Sequence, residues 1–258
     1  MTPEAPTAGA RGEAKGLRRL VARDGRAVLL AFVATVAAGL GVFTAARLAG
    51  APRLQAALAA LAGTVLWVAL AAPVLAASGA DTLAALLRGG CTADAGAVTL
   101  IVLWIACPQV TLLAAVEIYC VLAAMALLAV AASRLARSPA GRFALALATA
   151  AAFTVALAGP FWIGGALKAA PHQAANRIAA AAVYLNGFYA VAAATAEESR
   201  FVWHQASVLY RITRIGDYAA APPAHWYPCV LVHVGAAGLL AAAAALRHRR
   251  RRDADAAR

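Results

Sequence analysis

The sequence predicts an all-α, polytopic membrane helix bundle. We expect about six transmembrane helices, a short cytoplasmic amphipathic helix, and a re-entrant or interfacial segment before the last helix. Hydrophobic residues make up 64% of the 258 residues and charged residues only 13%, whereas soluble domains are about half apolar and about a quarter charged. The apolar residues fall in uncharged blocks of about 20 residues or more, the length that crosses a bilayer as a helix. No run alternates over about ten residues in the way that a transmembrane β-barrel requires.

A dense group of arginines follows the last apolar run and sets its orientation. The run 224–246 carries no charge, and Arg247 and Arg249–Arg252 come directly after it. Positive charge of this density is typical of the cytoplasmic side of a membrane protein. We therefore divide the chain into a cytoplasmic basic segment, 1–26, a transmembrane domain, 27–246, and a cytoplasmic basic tail, 247–258. Segment 1–26 is too long to precede a signal-peptide core, so we expect no cleavage.

The net charge of +12 is concentrated at the two ends and in one short loop. That pattern is typical of topology determinants that also attract anionic lipid, and we expect no nucleic-acid partner. The abundance of alanine and the preference for arginine over lysine indicate a GC-rich bacterial genome. We therefore expect a multi-pass protein of the bacterial cytoplasmic (inner) membrane, with both termini in the cytoplasm.

The first two helices are expected at 27–46 and 54–78. The link between them contains Gly50 and Pro52 and is only a few residues long. A link this short joins antiparallel helices, so helix 2 returns the chain to the cytoplasm.

A short leucine-bearing segment, 81–88, follows helix 2. Its leucines have the i, i+3, i+4 spacing of one helix face: Leu83, Leu86 and Leu87. We expect Asp81 to cap the start of this helix and Gly89 to end it. The segment then lies along the inner membrane surface, either as a functional element or as an ordinary interfacial connector.

The run 95–133 is interrupted by a single charge, Glu117. As one helix it would be about 58 Å long, nearly twice the thickness of the hydrocarbon core. Pro108 lies near its middle and favours a break there. We therefore expect helices at about 95–109 and 111–133, followed by a second cytoplasmic turn that carries three arginines: Arg134, Arg137 and Arg142.

Two further crossings are expected at 143–167, with a kink at Gly159-Pro160, and at 227–246. The run 178–196 is nearly long enough to cross as well, but Asn186-Gly187 interrupts it. If it crossed in addition to the other six helices, the basic tail would lie outside, against the positive-inside rule. Either 178–196 re-enters or lies at the interface, or 95–133 crosses only once. The charge density of the second cytoplasmic turn favours the first solution.

No residue pattern indicates an enzyme or a cofactor. The glycine-rich string that begins at Gly159 lacks the Lys-Ser/Thr of a P-loop, so the chain is not expected to hydrolyse a nucleotide itself. The four cysteines and five histidines lack metal-ligand spacing. An intramembrane enzyme would need Glu117, Glu198 or His204 to converge on a cavity.

Glu117 is the candidate intramembrane polar site. Ionisable residues within a membrane span are costly and are functional candidates by default. Three interpretations stay open for this carboxylate: a structural bond to another helix, a role in transport or gating, and a location near the outer headgroups.

The order of these elements resembles the ABC-2 type permease family, the six-helix membrane subunits of ABC transporters. Besides the basic N-terminus that runs straight into helix 1, three stretches carry the likeness. Gly79-Ala-Asp-Thr-Leu-Ala-Ala-Leu-Leu-Arg88 is similar to the leucine-rich segment after helix 2. Leu128-Ala-Val-Ala-Ala-Ser-Arg-Leu-Ala-Arg-Ser138 is similar to the turn before helix 5. Leu185-Asn-Gly-Phe-Tyr-Ala190 resembles an "NPFYA"-like stretch, with Gly187 in the place of proline.

The resemblance implies a transmembrane permease subunit that moves an unknown substrate with energy from a separate ATP-binding subunit. It also implies a homo- or heterodimer of permease subunits within the lipid bilayer. The candidate residues for coupling to the ATPase are those of the segment after helix 2: Asp81, Thr82, Leu83, Leu86, Leu87 and Arg88. The alternative is a membrane structural or assembly subunit without transport of its own.

Overall fold

The computed structural model describes residues 8–195 and 225–256, and these two ranges contain ten α-helices and no strand. Six of the helices are long and apolar enough to cross a membrane. The chain is therefore a multi-pass helical membrane protein, as the sequence predicts. The helices are α1 (Ala8–Leu48), α2 (Arg53–Ser78), α3 (Thr82–Ala106), α4 (Leu112–Ser133), α5 (Pro139–Leu157), α6 (Gly159–Trp162), α7 (Gly164–Ala169), α8 (His172–Tyr184), α9 (Gly187–Ala194) and α10 (Tyr227–Ala256).

The α1–α2 connection is a tight hairpin closed by glycine. Gly50 has a φ of 84°, a conformation that glycine adopts without steric cost. The amide of Ala51 donates to the carbonyl of Ala46, and the amide of Gly50 donates to the carbonyl of Arg47, both at 3.0 Å. This pair of bonds is the Schellman motif that ends many helices. The predicted antiparallel hairpin is confirmed.

Helices α2, α3 and α4 form the interior of the bundle. About half of each of their membrane windows is buried (44%, 50% and 56%), against 11%, 22% and 11% for α1, α5 and α10. Small side chains allow this close approach of helix backbones in a membrane. On α2 alone, seven alanines are buried: Ala56, Ala57, Ala60, Ala69, Ala72, Ala76 and Ala77.

Helix α3 departs from the prediction. The structure has one helix from Thr82 to Ala106, so the separate amphipathic helix over 81–88 is wrong, and these residues are the start of a membrane span. The predicted cap is confirmed, because the side chain of Asp81 accepts a 2.8 Å hydrogen bond from the amide of Ala84.

The prediction that Gly89 ends a helix is wrong. Gly89 lies inside α3, where it allows the neighbouring helices to pack closely. A Cβ atom at this position would lie 2.9 Å from Cγ2 of Val130 on α4 and 3.1 Å from Cβ of Ala76 on α2. Without a side chain, Gly89 lets the three helices approach one another. Nothing else in the segment breaks the helix, and α3 continues to Ala106.

The break between α3 and α4 lies where Pro108 predicts it, at 107–111. Helix α5 is shorter than expected: it spans Pro139–Leu157, and the chain continues as the short helices α6 and α7 instead of a kinked helix to 167. The physical reason is Gly159-Pro160, because proline has no N–H to continue the hydrogen-bond ladder of α5.

Helices α8 and α9 form a bent pair in the region where the sequence predicts a re-entrant or interfacial segment. Their axes differ by 72° across a break at Leu185 and Asn186. A Cβ atom on Gly187 would lie 3.2 Å from Val65 and 3.5 Å from Met125, residues in the middle parts of α2 and α4. The corner therefore reaches deep into the bundle.

The last helix returns to the end of the bundle where α3 begins. Ala244 and Ala245 of α10 line the same cavity as Asp81 and Arg134. We call this end, with the α2–α3 link, the α4–α5 turn and the arginines of α10, the basic end. The α1–α2 and α3–α4 links lie at the opposite end, so the number of crossings is even. Helix α10 itself continues past 246, through the basic residues, to Ala256.

Candidate functional site

The leucines of the segment after α2 are exposed at the basic end. Leu83, Leu86 and Leu87 have 44%, 41% and 38% of their surface exposed, although they occupy the first two turns of α3. Thr82 is the first helical residue, and Asp81 caps it. The structure thus brings these predicted site residues together as one apolar surface at the end of a membrane span.

Arg88, the last residue of the predicted coupling segment, points back to the end of α2. Its Nη1 donates to the carbonyl oxygen and to the hydroxyl of Ser78, both at 2.8 Å. The last carbonyls of a helix have no partner within the helix, and arginine side chains commonly bond them. Arg88 therefore ties the start of α3 to the end of α2.

Two arginines from other helices bond the same stretch of backbone. Arg134, just after α4, donates to the carbonyls of Ala76 at 3.2 Å and Gly79 at 3.1 Å. Arg142, in the first turn of α5, donates to Gly79 at 2.5 Å and to Ala80 at 3.2 Å. We call Arg88, Arg134 and Arg142 the arginine clamp, because together they join the end of α2 to the ends of α3, α4 and α5.

Gly79 is the residue around which the arginine clamp closes. A Cβ atom there would lie 2.5 Å from the backbone nitrogen of Ala85 and 2.8 Å from the carbonyl carbon of Ala84. Backbone atoms cannot move aside as a side chain can. The α2–α3 link is therefore packed directly against the first turn of α3.

The clamp concentrates positive charge in a partly buried place. Burial lowers the pKa of the Arg134 guanidinium, and the nearby charge of Arg142 lowers this pKa further, while the carboxylate of Asp81 raises it. Arginine stays protonated in proteins despite such shifts. The basic end thus holds two guanidinium groups that bond one carbonyl oxygen and repel each other.

The intramembrane carboxylate of greatest interest is Asp94, which the sequence reading places outside the spans. Because α3 is continuous, Asp94 lies midway along it, twelve residues from either end. Its side chain is on the exposed surface of the bundle. Tyr119 of α4 donates a 2.9 Å hydrogen bond to its Oδ1. A carboxylate at this depth is costly in lipid and marks a functional surface by default.

Glu117, the predicted intramembrane site, occupies a different place. It lies in the second turn of α4, near the opposite end of the bundle, and is half-buried. No described residue forms a hydrogen bond with it. Two positions separate it from Tyr119, a rotation of about 200° around the helix, so the structure does not join Glu117 to the Asp94–Tyr119 pair.

Asp94 could have been found from the sequence by following α3 without a stop. Glycine alone does not end a helix in a membrane span, and no proline lies between 82 and 106. The acid then falls at the centre of a 25-residue apolar helix. The sequence therefore indicates an acid in the middle of a span, and this is missed only when Gly89 is interpreted as the end of a helix.

The other residue types of interest form no site within the part of the chain described here. Cys91, Cys107 and Cys229 are buried thiols without disulfides, as expected of small apolar residues. Groups of three or more metal-ligating side chains are absent from the described residues. Glu198 and His204, which an intramembrane enzyme would require, lie outside the described residues.

Comparisons of the chain with protein-family models, curated proteins and solved structures give no match. Two features distinguish the molecule chemically. One is the basic end, where exposed leucines adjoin the arginine clamp. The other is the Asp94–Tyr119 pair, which lies on the exposed face of α3 and α4.

Proposed function

We propose that this protein is the transmembrane permease subunit of an ABC-type transporter and moves its substrate with energy from a separate ATPase. The observation that carries the proposal is the exposed surface of Leu83, Leu86 and Leu87 at the basic end. By the positive-inside rule this end faces the cytoplasm, where an ATPase resides. Apolar side chains grouped on an exposed helix face are a common contact surface for a partner protein.

The continuity of α3 gives this contact a mechanical consequence. The leucines belong to the same unbroken helix as Asp94. In this proposal, a displacement applied by an ATPase at the first turns of α3 is passed along the helix, since α3 is continuous between the two sites. The carboxylate in the middle of the membrane then shifts relative to its surroundings.

The arginine clamp distributes the same displacement. Arg88, Arg134 and Arg142 bond four carbonyl groups at the end of α2. Hydrogen bonds from charged donors are stronger than neutral ones. Movement of the coupling surface is therefore passed to α2, α4 and α5 together.

The exposed face of α3 and α4 is the surface that a second permease subunit covers in this proposal. An isolated carboxylate facing lipid is unfavourable, and Asp94 is exposed with Tyr119 as its one bonded partner among the described residues. Pairing of two subunits, identical or different, encloses Asp94 in protein or in a polar path between their helices.

The test is co-purification of an ATPase with the tagged chain from its native membrane, followed by measurement of ATP hydrolysis by the isolated complex. We expect Leu86→Asp combined with Leu87→Asp to abolish both. The matched control is Leu112→Asp combined with Leu113→Asp, a more exposed leucine pair at the opposite end of the bundle, which should retain both.

Two results would overturn the proposal. One is the absence of ATP hydrolysis in wild-type complexes, which would favour the alternative of a membrane assembly subunit. The other is equal ATPase recovery with wild type and with the Leu86–Leu87 double variant, which would show that this surface is not the coupling element.

A further inference from the structure

A cavity opens at the basic end, between the start of α3, the end of α4 and the middle part of α10. Its volume is about 850 Å³, large enough for part of a lipid-sized molecule. Leu86 and Arg134 line it from one side and Ala241 from the other. The cavity is thus bounded by three membrane spans and by the α4–α5 turn.

Positive charge dominates the mouth of the cavity. The charged side chains among its described lining residues are three arginines and one carboxylate: Arg134, Arg137, Arg142 and Asp81. The carboxylate already accepts the capping bond from the amide of Ala84. A net positive mouth with guanidinium donors is suited to a phosphate group, which arginine binds through two parallel hydrogen bonds.

The three arginines differ in the hydrogen bonds that their guanidinium groups already form within the protein. Arg134 and Arg142 are held in place by backbone carbonyls, and the buried Nε of Arg142 has no hydrogen-bond partner among the described residues. Arg137 is exposed and forms no hydrogen bond with any described residue. The mouth therefore combines fixed guanidinium groups with one that is available to a ligand.

Behind the arginines the walls are apolar. On α10 the cavity extends from Ala245 to Val234, about 16 Å along the helix axis. On α4 it reaches Leu127 and Val130. A soluble phosphate compound has no apolar chain to pack against a long apolar wall within the membrane. A phospholipid places its phosphate and its acyl chain at these two positions.

We propose that the cavity is a binding site for an anionic phospholipid, with its phosphate on the arginines at the mouth and an acyl chain between α4 and α10. Basic pockets between membrane helices on the cytoplasmic side suit anionic headgroups. The ligand of this site is present in the membrane without any partner protein, and the site shares Leu86 with the proposed coupling surface.

The experiment uses the purified, delipidated full chain and native mass spectrometry with added phosphatidylglycerol or phosphatidylcholine of the same acyl composition. We expect one phosphatidylglycerol to be retained with at least a tenfold preference. Arg137→Gln should weaken its binding about fivefold, the effect of one basic residue near an anionic headgroup. Arg53→Gln, an exposed arginine at the opposite end, is the matched control and should bind as wild type does.

A second pair of variants tests the apolar part of the site. Gly238 lines the cavity, and a Cβ atom there meets nothing within 4 Å, so Gly238→Leu fills the space without a backbone clash. Gly235→Leu adds the same side chain to the same helix, also in open space, but outside the cavity lining. We expect only the change at Gly238 to remove the bound lipid.

Three outcomes would overturn the proposal. The first is equal retention of the two lipids by wild type. The second is unchanged phosphatidylglycerol binding in both Arg137→Gln and Gly238→Leu. The third is displacement of the lipid by inorganic phosphate in millimolar excess, which would assign the site to a soluble phosphate compound. None of these measurements involves an ATPase, so their failure is distinct from failure of the proposed function.

Discussion

Tyr119 and Asp94 are joined by a 2.9 Å hydrogen bond between α4 and α3, at the midpoint of α3 and on the outer face of the bundle. The bond couples two neighbouring spans near the middle of α3. Asp94 can accept further hydrogen bonds, and its exposed carboxylate offers them to a partner on the outer face of the bundle.

Removal of the Tyr119 hydroxyl should weaken the contact between these spans. We expect Tyr119→Phe to lower the free energy of unfolding by about 0.6 kcal/mol and by at most about 1.7 kcal/mol, the average and the maximum for hydrogen bonds between membrane helices. Reversible unfolding in mixed micelles measures this difference. Tyr184→Phe, which removes a hydroxyl on α8 that bonds no described residue, should leave stability unchanged, and an equal loss in both variants would contradict the assignment.

A methyl group at Gly79 should disrupt the arginine clamp. Gly79→Ala places Cβ 2.5 Å from the backbone nitrogen of Ala85, and overpacking of this kind costs about 1–3 kcal/mol. At Gly90 of α3 a Cβ atom meets nothing within 4 Å. Gly90→Ala should therefore be neutral or stabilise by up to about 1 kcal/mol, because alanine favours helix.

Thermal unfolding of the two glycine variants in one detergent provides the comparison. The expected order of transition temperature is Gly79→Ala below wild type and Gly90→Ala at or above it. If Gly79→Ala unfolded at the same temperature as wild type, the close contact between the α2–α3 link and α3 would be incorrect.

We expect the side chain of Asn186 to stabilise the corner between α8 and α9. It is 1% exposed, its amide donates to the carbonyls of Ala156 and Leu157 at 3.0 and 2.9 Å, and its Oδ1 accepts from the amide of Phe188. Asn186→Ala leaves these buried groups without partners, at a cost of about 1–3 kcal/mol.

The control for this change is Asn176→Ala on α8. Within the part of the chain that the structure describes, the buried Oδ1 of Asn176 has no hydrogen-bond partner, so its loss should change stability by less than about 0.5 kcal/mol. Unfolding in mixed micelles is measured for both variants. Similar losses in both would mean that the bonds from Asn186 do not hold α5 and α9 together.

Thiol labelling in intact cells should assign the two ends of the bundle to the two sides of the membrane. We expect a membrane-impermeant maleimide to label Leu48→Cys at the opposite end, and Ala140→Cys at the basic end only after permeabilisation, because arginine-rich links stay in the cytoplasm. Both positions are exposed. The unmodified chain provides the background from its native thiols, three of which are buried. The reverse pattern would place the basic end outside.

The sequence predicts most of the architecture because charge and the length of apolar runs are properties of short segments. The bounds of α2 and α4 agree with their predicted ranges within one residue, and the corner between α8 and α9 falls at Asn186-Gly187, where polar residues interrupt an apolar run. Parity, fixed by the arginine tail, predicted that 178–196 and 95–133 do not both contribute their maximum number of crossings.

The prediction failed where a residue acts through contacts distant in the sequence. A glycine at position 89 is typical of the end of a helix. Its role is determined by contacts with Val130 and Ala76, and neither is a neighbour in sequence. The error then displaced Asp94 from the membrane. Likewise, the bonds from Arg134 and Arg142 to Gly79 join residues 55 and 63 positions apart, which no local pattern indicates.

The arginine clamp also bears on how the protein acquires its orientation during biosynthesis. Arginines beside a membrane span govern the direction in which that span inserts, and here Arg134 and Arg142 afterwards bond the end of α2. Neutral replacements that alter insertion will therefore also leave helix-end carbonyls unbonded. A variant designed to invert the orientation by removing Arg134 or Arg142 would therefore also lose part of the junction between α2, α3, α4 and α5.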